Sequence, residues 1–159
     1  MIEIFTTGGT IDKVYFDALS EYQIGPTALT DILAENNVFI PHSVKQLMRK
    51  DSLELTDQDR VAIHTAVSAS DATQILITHG TDTMVQTARK LMDIKGKTIV
   101  LTGAMQPATL RASDAEFNVG FALAAAQTLS AGVYIAMNGQ IFDPATSQKD
   151  RAGHRFVTL

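Results

Sequence analysis

Two short stretches carry hydroxyls and glycines directly after apolar, strand-like runs: Thr6-Thr7-Gly8-Gly9-Thr10-Ile11 and Thr78-His79-Gly80-Thr81-Asp82-Thr83. A threonine hydroxyl attacks a carbonyl carbon only when a base takes its proton, and a carboxylate beside it can hold an ammonium group. In an open α/β sheet ligands bind at the carboxyl ends of the strands, so two such loops on neighbouring strands would bring Thr10, Thr81 and Asp82 around one small molecule. Gly8 and Gly9 allow positive φ and close backbone approach there. Each stretch also has a plainer reading. The glycine pair serves as a turn, Thr81 or Asp82 caps a helix, and His79 is a satisfied, partly buried imidazole. In the functional reading, N–H groups at the helix start stabilise a developing oxyanion while Asp82 holds a substrate ammonium. The first stretch lacks the G-x-G-x-x-G spacing of dinucleotide sites and the Gly-Lys-Ser/Thr of a phosphate loop, which sets nucleotide binding aside.

The elements that must position these residues follow an alternating rhythm. Strands are predicted at Ile2–Thr7, Ser43–Met48, Gln74–Thr78, Thr98–Thr102 and Gly132–Met137, several of them apolar on both faces, as strands buried between two helical layers are. Helices are predicted at Thr56–Ala69, Thr83–Asp93 and Ser113–Leu129. The first opens on Thr56-Asp57-Gln58-Asp59, close to a capping box, with Val61, Ala62, Ala66 and Val67 on one side. The second stripes Met84, Ala88, Leu91 and Met92, and the third Phe117, Phe121, Ala124 and Ala125. This βαβ rhythm predicts a single α/β domain: a mostly parallel sheet covered on both faces, in three α/β/α layers.

Composition bounds the chemistry. At 159 residues one core suffices, burying about two thirds of the unfolded surface. With no cysteine, disulfides, thiolate nucleophiles and Cys-ligated zinc are excluded, so a nucleophile would be a hydroxyl, and neither metal nor cofactor is expected. The net charge of −4, with no Lys/Arg cluster, gives no footprint for nucleic acid or an anionic membrane. The opening Met1-Ile2-Glu3-Ile4-Phe5 has no basic start and no apolar run approaches about 20 residues, which predicts a cytoplasmic protein without a membrane span.

Thr7-Gly8-Gly9-Thr10-Ile11 and Thr78-His79-Gly80-Thr81-Asp82-Thr83-Met84 resemble the two signatures of the bacterial-type L-asparaginase/glutaminase family, at the separation expected between them. Further similarities follow in order: Tyr22 before Gly25, Asp51-Ser52, Gly103-Ala104-Met105-Gln106-Pro107, Asp114 with Phe117-Asn118, Met137-Asn138, and Lys149. The resemblance covers nearly the whole chain and implies the flavodoxin-like N-terminal domain of the family, with an unusual left-handed crossover. It also implies roles: Thr10 as nucleophile on a side-chain amide, Tyr22 as the residue that activates it or closes the site, and Thr81 as a second catalytic hydroxyl partnered by Lys149. Asp82 would bind the substrate ammonium, Ser52 its α-carboxylate, and Gly9, Gly80 and Ala104 would line the same pocket. The partner implied is a small amide or amino acid.

The chain departs from the family pattern in three places. The resemblance implies a C-terminal domain of similar size that this sequence lacks; Leu53 stands where relatives commonly carry a polar residue such as Gln; and Gln106 replaces a frequent Arg. Two functions from different classes remain: an amidohydrolase releasing ammonia from asparagine or a related amide, expected as a homo-oligomer, or a binding or regulatory module that keeps the pocket without turnover.

Overall fold

The computed structural model describes all residues from 1 to 159. In chain order the elements are β1 (Ile2–Gly8), β2 (Lys13–Phe16), β3 (Glu21–Ile24), α1 (Leu29–Glu35), β4 (His42–Lys50), α2 (Asp57–Ala69), β5 (Gln74–Thr78), α3 (Met84–Lys90), β6 (Thr98–Thr102), α4 (Ala115–Thr128), β7 (Gly132–Met137), β8 (Gln140–Phe142), β9 (Ser147–Asp150) and β10 (Arg155–Thr158). Six strands form one sheet in the order β4-β1-β5-β6-β7-β8, parallel except for the antiparallel edge strand β8. Two separate antiparallel hairpins, β2–β3 and β9–β10, stand off it.

Apolar side chains alternate across the central strands, so the sheet feeds two cores. Ile4, Leu76 and Val100 face α1 and α4, while Phe5, Ile75, Ile77, Ile99 and Leu101 face α2 and α3. The five predicted strands and three helices are present, in the three layers expected. At the start of α2 the Thr56 hydroxyl accepts the Asp59 N–H while the Asp59 carboxylate accepts the Thr56 N–H, completing the capping box.

The helix faces differ in part from the predicted stripes. On α2 the buried residues are Ile63 and Val67, with Val61 and Ala62 turned to solvent. On α4 the buried stripe is Ala115, Asn118, Val119, Ala122 and Ala126, whereas Phe117 is 61% exposed and stacks on Phe121 at 6.3 Å on the outer surface. Alanines pack that close under a sheet that bulky phenyl rings would have to stand off from it. Met92 follows the end of α3 and is exposed.

The topology contains one reversal of hand. The connection from β1 to β4 through α1 runs one way along the sheet, and those from β4 to β5, β5 to β6 and β6 to β7 run the other way. Since α2 and α3 lie on one face and α1 and α4 on the opposite one, the first three crossovers share a hand and the fourth, through α4, has the other. Right-handed crossovers being the near-universal rule, the α4 connection is the left-handed one. The chain also reverses direction at β1, which lies between β4 and β5, so the carboxyl ends of β1 and β5 flank the topological switch point where open sheets bind ligands.

Thr6 and Thr78 are register partners whose buried hydroxyls have no hydrogen-bond partner, while the buried Thr102 hydroxyl donates to the Ala136 carbonyl at 2.8 Å. Isosteric Thr6→Val or Thr78→Val is therefore expected to leave stability unchanged or raise it by about 1 kcal/mol, and Thr102→Val to lower it by about 1 kcal/mol. Urea denaturation midpoints check both signs, and a clear loss in the first pair would contradict the assignment.

Candidate active site

The site begins with three backbones in contact. Gly8 and Gly9, at φ of 99° and 89°, end β1 and turn the chain out of the sheet, with the Gly9 N–H donating to the Lys50 carbonyl at 3.0 Å. A Cβ added to Gly9 would stand 2.5 Å from Gly80 Cα, and one added to Gly80 would stand 2.6 Å from Ser52 Cβ. Real Cβ atoms do not approach so closely, so only glycine lets the loops after β1, β5 and β4 stack in this way. Gly103, after β6, is likewise packed against the His79 carbonyl. Gly9, Gly80 and Ser52 thus meet, with Thr10 beginning the next turn and Thr81 and Asp82 following Gly80.

The loop after β5 is held from within by His79. This imidazole is fully buried between the Gly80 carbonyl, 2.7 Å from Nδ1, and the Thr87 hydroxyl, 2.8 Å from Nε2. A carbonyl only accepts, so Nδ1 carries the proton and Nε2 accepts from Thr87. Burial pushes its pKa down to about 4, which keeps the ring neutral near pH 7. Its role is to orient the peptide that leads into Thr81. Neither Thr81 nor Asp82 caps α3. Thr83 occupies that position, and its hydroxyl donates to the Ser52 carbonyl at 2.7 Å, tying the loops after β4 and β5 together. The backbone N–H groups of Gly80, Thr81 and Asp82 donate to no acceptor in the protein.

Lys149 comes from the other end of the sequence. Its Nζ donates to Thr81 Oγ1 at 2.7 Å and to Asp82 Oδ1 at 2.8 Å, with the side chain 13% exposed. Arg151 reaches the same Asp82 oxygen at 3.4 Å. Lys149 lies on β9, opposite Phe156 of β10, whose ring is buried against Phe142 and the α2/α3 core. Arg89 of α3 donates to the Pro144 and Ser147 carbonyls, which clamps the start of β9. A hydroxyl, a carboxylate and an amine with this spacing can pass a proton and bind an ammonium group.

The remaining expected residues hold different positions. Thr10 is half-buried and its hydroxyl bonds to nothing in the protein; it reaches the Thr81 group only through the Gly9–Gly80 contact. Tyr22 lies outside the cluster, on β3, 47% exposed and edge-to-face with Tyr15 at 5.5 Å. It lines a cleft of about 370 Å³ with Lys13, Arg49, Asp51 and Glu54, whereas Asp82 and Lys149 line another of about 370 Å³ between α3 and β9. Ala104 is buried beside Ile11. Its loop is braced by Asp114, whose carboxylate accepts the N–H groups of Met105 and Gln106 and the amides of Asn118 and Asn138. Leu53 is exposed beside the buried Ser52. No cluster of His, Cys, Asp and Glu is arranged to hold a metal ion, and no helix is long and apolar enough to cross a membrane.

Sequence reasoning missed two supporting charges. Lys13 pairs with Asp51 at 3.2 Å, and Asp12 is buried at the foot of the β2–β3 hairpin. Their signal, a charged pair directly after Thr10-Ile11, is visible in the sequence only as Asp12-Lys13.

Known proteins resemble this chain in sequence and in fold. The family profile described as "Asparaginase, N-terminal" matches residues 1–156. A Haemophilus influenzae protein named probable periplasmic L-asparaginase is 30% identical over 151 residues, covering 88% of this chain and 43% of that relative. A glutaminase-asparaginase of Acinetobacter glutaminasificans is 30% identical over 155 residues, covering 89% of this chain and 47% of the relative. The solved thermostable L-asparaginase from Thermococcus kodakarensis superposes with a TM-score of 0.86 at 27% identity, over 99% of this chain and 51% of its own. The chain thus spans about half the length of the relatives it matches.

Below pH 6.5 the unfolded chain takes up a proton at His79 that the folded chain refuses until about pH 4, so stability falls on acidification through that window, by up to about 3 kcal/mol from this residue. Asp12, raised by burial from 3.8 to about 6, acts in the opposite direction between those values. Urea denaturation at pH 7 and pH 5 should show a larger drop for wild type than for His79→Gln; equal drops would place the acid sensitivity elsewhere.

Proposed function

Because the chain belongs to the asparaginase family, matching its N-terminal domain from residue 1 to 156, we propose that it acts as an amidohydrolase that releases ammonia from the side-chain amide of asparagine or a related small amide. The observation that carries this reading is the pair of bonds from Lys149 Nζ to Thr81 Oγ1 and Asp82 Oδ1. A pocket that only bound an amino acid would need Asp82 but not a buried amine donating to a second hydroxyl.

In this mechanism the substrate's α-ammonium pairs with Asp82, its α-carboxylate with the Ser52 hydroxyl, and its side-chain amide lies between Thr10 and Thr81. The Thr10 oxygen attacks the amide carbon while its proton passes to a base; Tyr22, carried on the exposed β2–β3 hairpin, takes that role once the hairpin closes over Thr10. The tetrahedral oxyanion is stabilised by the unpaired backbone N–H groups of the loop, an effect whose loss at one donor typically lowers rates about 100- to 1000-fold. Collapse breaks the C–N bond and, with a proton delivered to nitrogen, ammonia leaves. Water then adds to the Thr10 ester, its proton passing by way of the Thr81 hydroxyl to the Thr10 oxygen as the ester C–O bond breaks, and the free acid departs.

Leu53 leaves an apolar side chain beside Ser52, which supports a less discriminating choice among small amides than asparagine alone. A cytoplasmic homo-oligomer without nucleic-acid partners completes the proposal, the exposed Phe117 ring, stacked on the half-buried Phe121, offering an apolar face for self-association.

Purified protein incubated with asparagine, glutamine and a panel of small amides is expected to release ammonia. Thr10→Ala, Thr81→Val and Lys149→Met should each lower the rate by about 100-fold or more with unchanged circular dichroism. Calorimetric binding of an amino acid with no ammonia from any amide would instead select the binding-module reading.

A further inference from the structure

The segment that carries Tyr22 is fastened to the domain at its base, where Asp12 makes three of the bonds, one through its main chain and two through its side chain. After the single 3₁₀ turn Thr10–Asp12 the chain leaves in the β2–β3 hairpin, whose pairs run from Lys13–Ile24 at the base to Phe16–Glu21 at the tip, and it returns at Gly25. Residues 15–23 are exposed throughout, so the core does not orient them.

Asp12 is 3% exposed and binds the returning chain at two levels. Its carbonyl accepts the Gly25 N–H at 2.8 Å, and its carboxylate Oδ1 accepts the Ala28 N–H at 2.8 Å and the Thr27 hydroxyl at 3.2 Å. The Thr27 hydroxyl in turn accepts the Leu29 N–H at 3.3 Å, which links the carboxylate to α1. That helix is anchored by buried Leu29, Ile32 and Leu33. On the departing side Ile11 is buried beside Ala104, and its carbonyl accepts the Ala108 N–H at 3.1 Å. Gly25 fits tightly as well, since a Cβ there would stand 3.0 Å from a Val14 methyl. Beyond this base, the Lys13–Asp51 ion pair joins the hairpin to the Ser52 loop.

A buried carboxylate is an expensive acceptor. Lost hydration drives the Asp12 carboxyl up to about 6, against the bonds from Ala28 and Thr27 and the field of Arg49 on β4. An uncharged side chain would fill the space without that penalty, whereas a charged acceptor makes roughly twice the bond. The charge is spent where the hairpin leaves and re-enters the domain, two residues after Thr10.

We propose that Asp12 is a positioning residue of the site: by bonding the returning chain at Gly25, Thr27 and Ala28, it fixes where the hairpin, and with it Tyr22, stands relative to Thr10. Its consequence for turnover rests on the amidohydrolase reading above; its consequence for the hairpin does not.

Hydrogen exchange and ammonia release on wild type, Asp12→Ala and Asp12→Asn test this together. In Asp12→Ala the cross-strand amides of residues 13–24 are expected to exchange at least about tenfold faster while those of β5 and β6 are unchanged, and kcat to fall at least about tenfold with KM within about threefold. Asp12→Asn keeps a carbonyl oxygen at Oδ1 and is expected to restore most of both. Should Asp12→Ala not fold, Thr27→Ala, which removes one of the two donors to Oδ1, is expected to speed hairpin exchange about threefold. Hairpin exchange within twofold of wild type in the folded variants, or faster exchange shared equally by β5 and β6, overturns the proposal. A wild type that releases no ammonia yet shows this exchange pattern would leave the clamp standing and remove the activity.

Discussion

The site depends on one contact, the approach of Gly9 to Gly80 across the carboxyl ends of β1 and β5. Two loops from parallel strands about 4.8 Å apart can touch backbone to backbone only if neither carries a Cβ at the meeting point. Here the meeting extends to a third loop, through Gly80 against Ser52. It turns two sequence-distant hydroxyls, Thr10 and Thr81, into neighbours of one switch point, and it leaves little freedom for either loop to move without the other. Around it the bonds are directed inward: His79 orients the Gly80 peptide, Thr83 grips the Ser52 carbonyl, and Lys50 receives the Gly9 N–H.

The left-handed crossover serves the same end. By carrying α4 to the α1 face, it places Asp114 and Asn118 beneath the loop after β6, where they satisfy the N–H groups of Met105 and Gln106 and the Gly103 carbonyl. Ala104 and Ile11 then pack together in one core, so the turn that starts at Thr10 rests on a loop whose own shape is fixed by α4. The opposite face receives the β9–β10 hairpin through Phe156, which delivers Lys149 to Thr81 and Asp82. Each face of the sheet thus contributes one support to a site that neither face contains.

Much of this was legible in the sequence, because the central strands are apolar on both faces and Thr56–Asp59 signals a helix start by itself. Gly8 and Gly9 at the end of β1 also signalled a close backbone approach. What was not legible lacks local pattern. Ser147-Gln148-Lys149-Asp150 has no apolar alternation, and its strand is held by tertiary contacts, buried Phe156 opposite it and Arg89 of α3 at its start; Lys149 was reachable solely through family resemblance. The β2–β3 hairpin is exposed and held by Asp12, a tertiary bond that no periodicity encodes. Phe117 misled because phenylalanine usually marks a core, whereas α4 buries mainly alanines with Val119 and Leu123 and turns Phe117 outward. Tyr22, expected with the catalytic group, instead lies on that exposed hairpin in a cleft of its own.

Whether the loops joined by the Gly9–Gly80 contact form a single amino-acid site is decided by a crystal structure with L-aspartate bound. The ligand's side-chain carboxyl is expected within hydrogen-bond distance of both the Thr10 and Thr81 hydroxyls, with its α-ammonium on Asp82. Aspartate bound elsewhere, or bound with the Thr10 and Thr81 hydroxyls facing separate spaces, would contradict it.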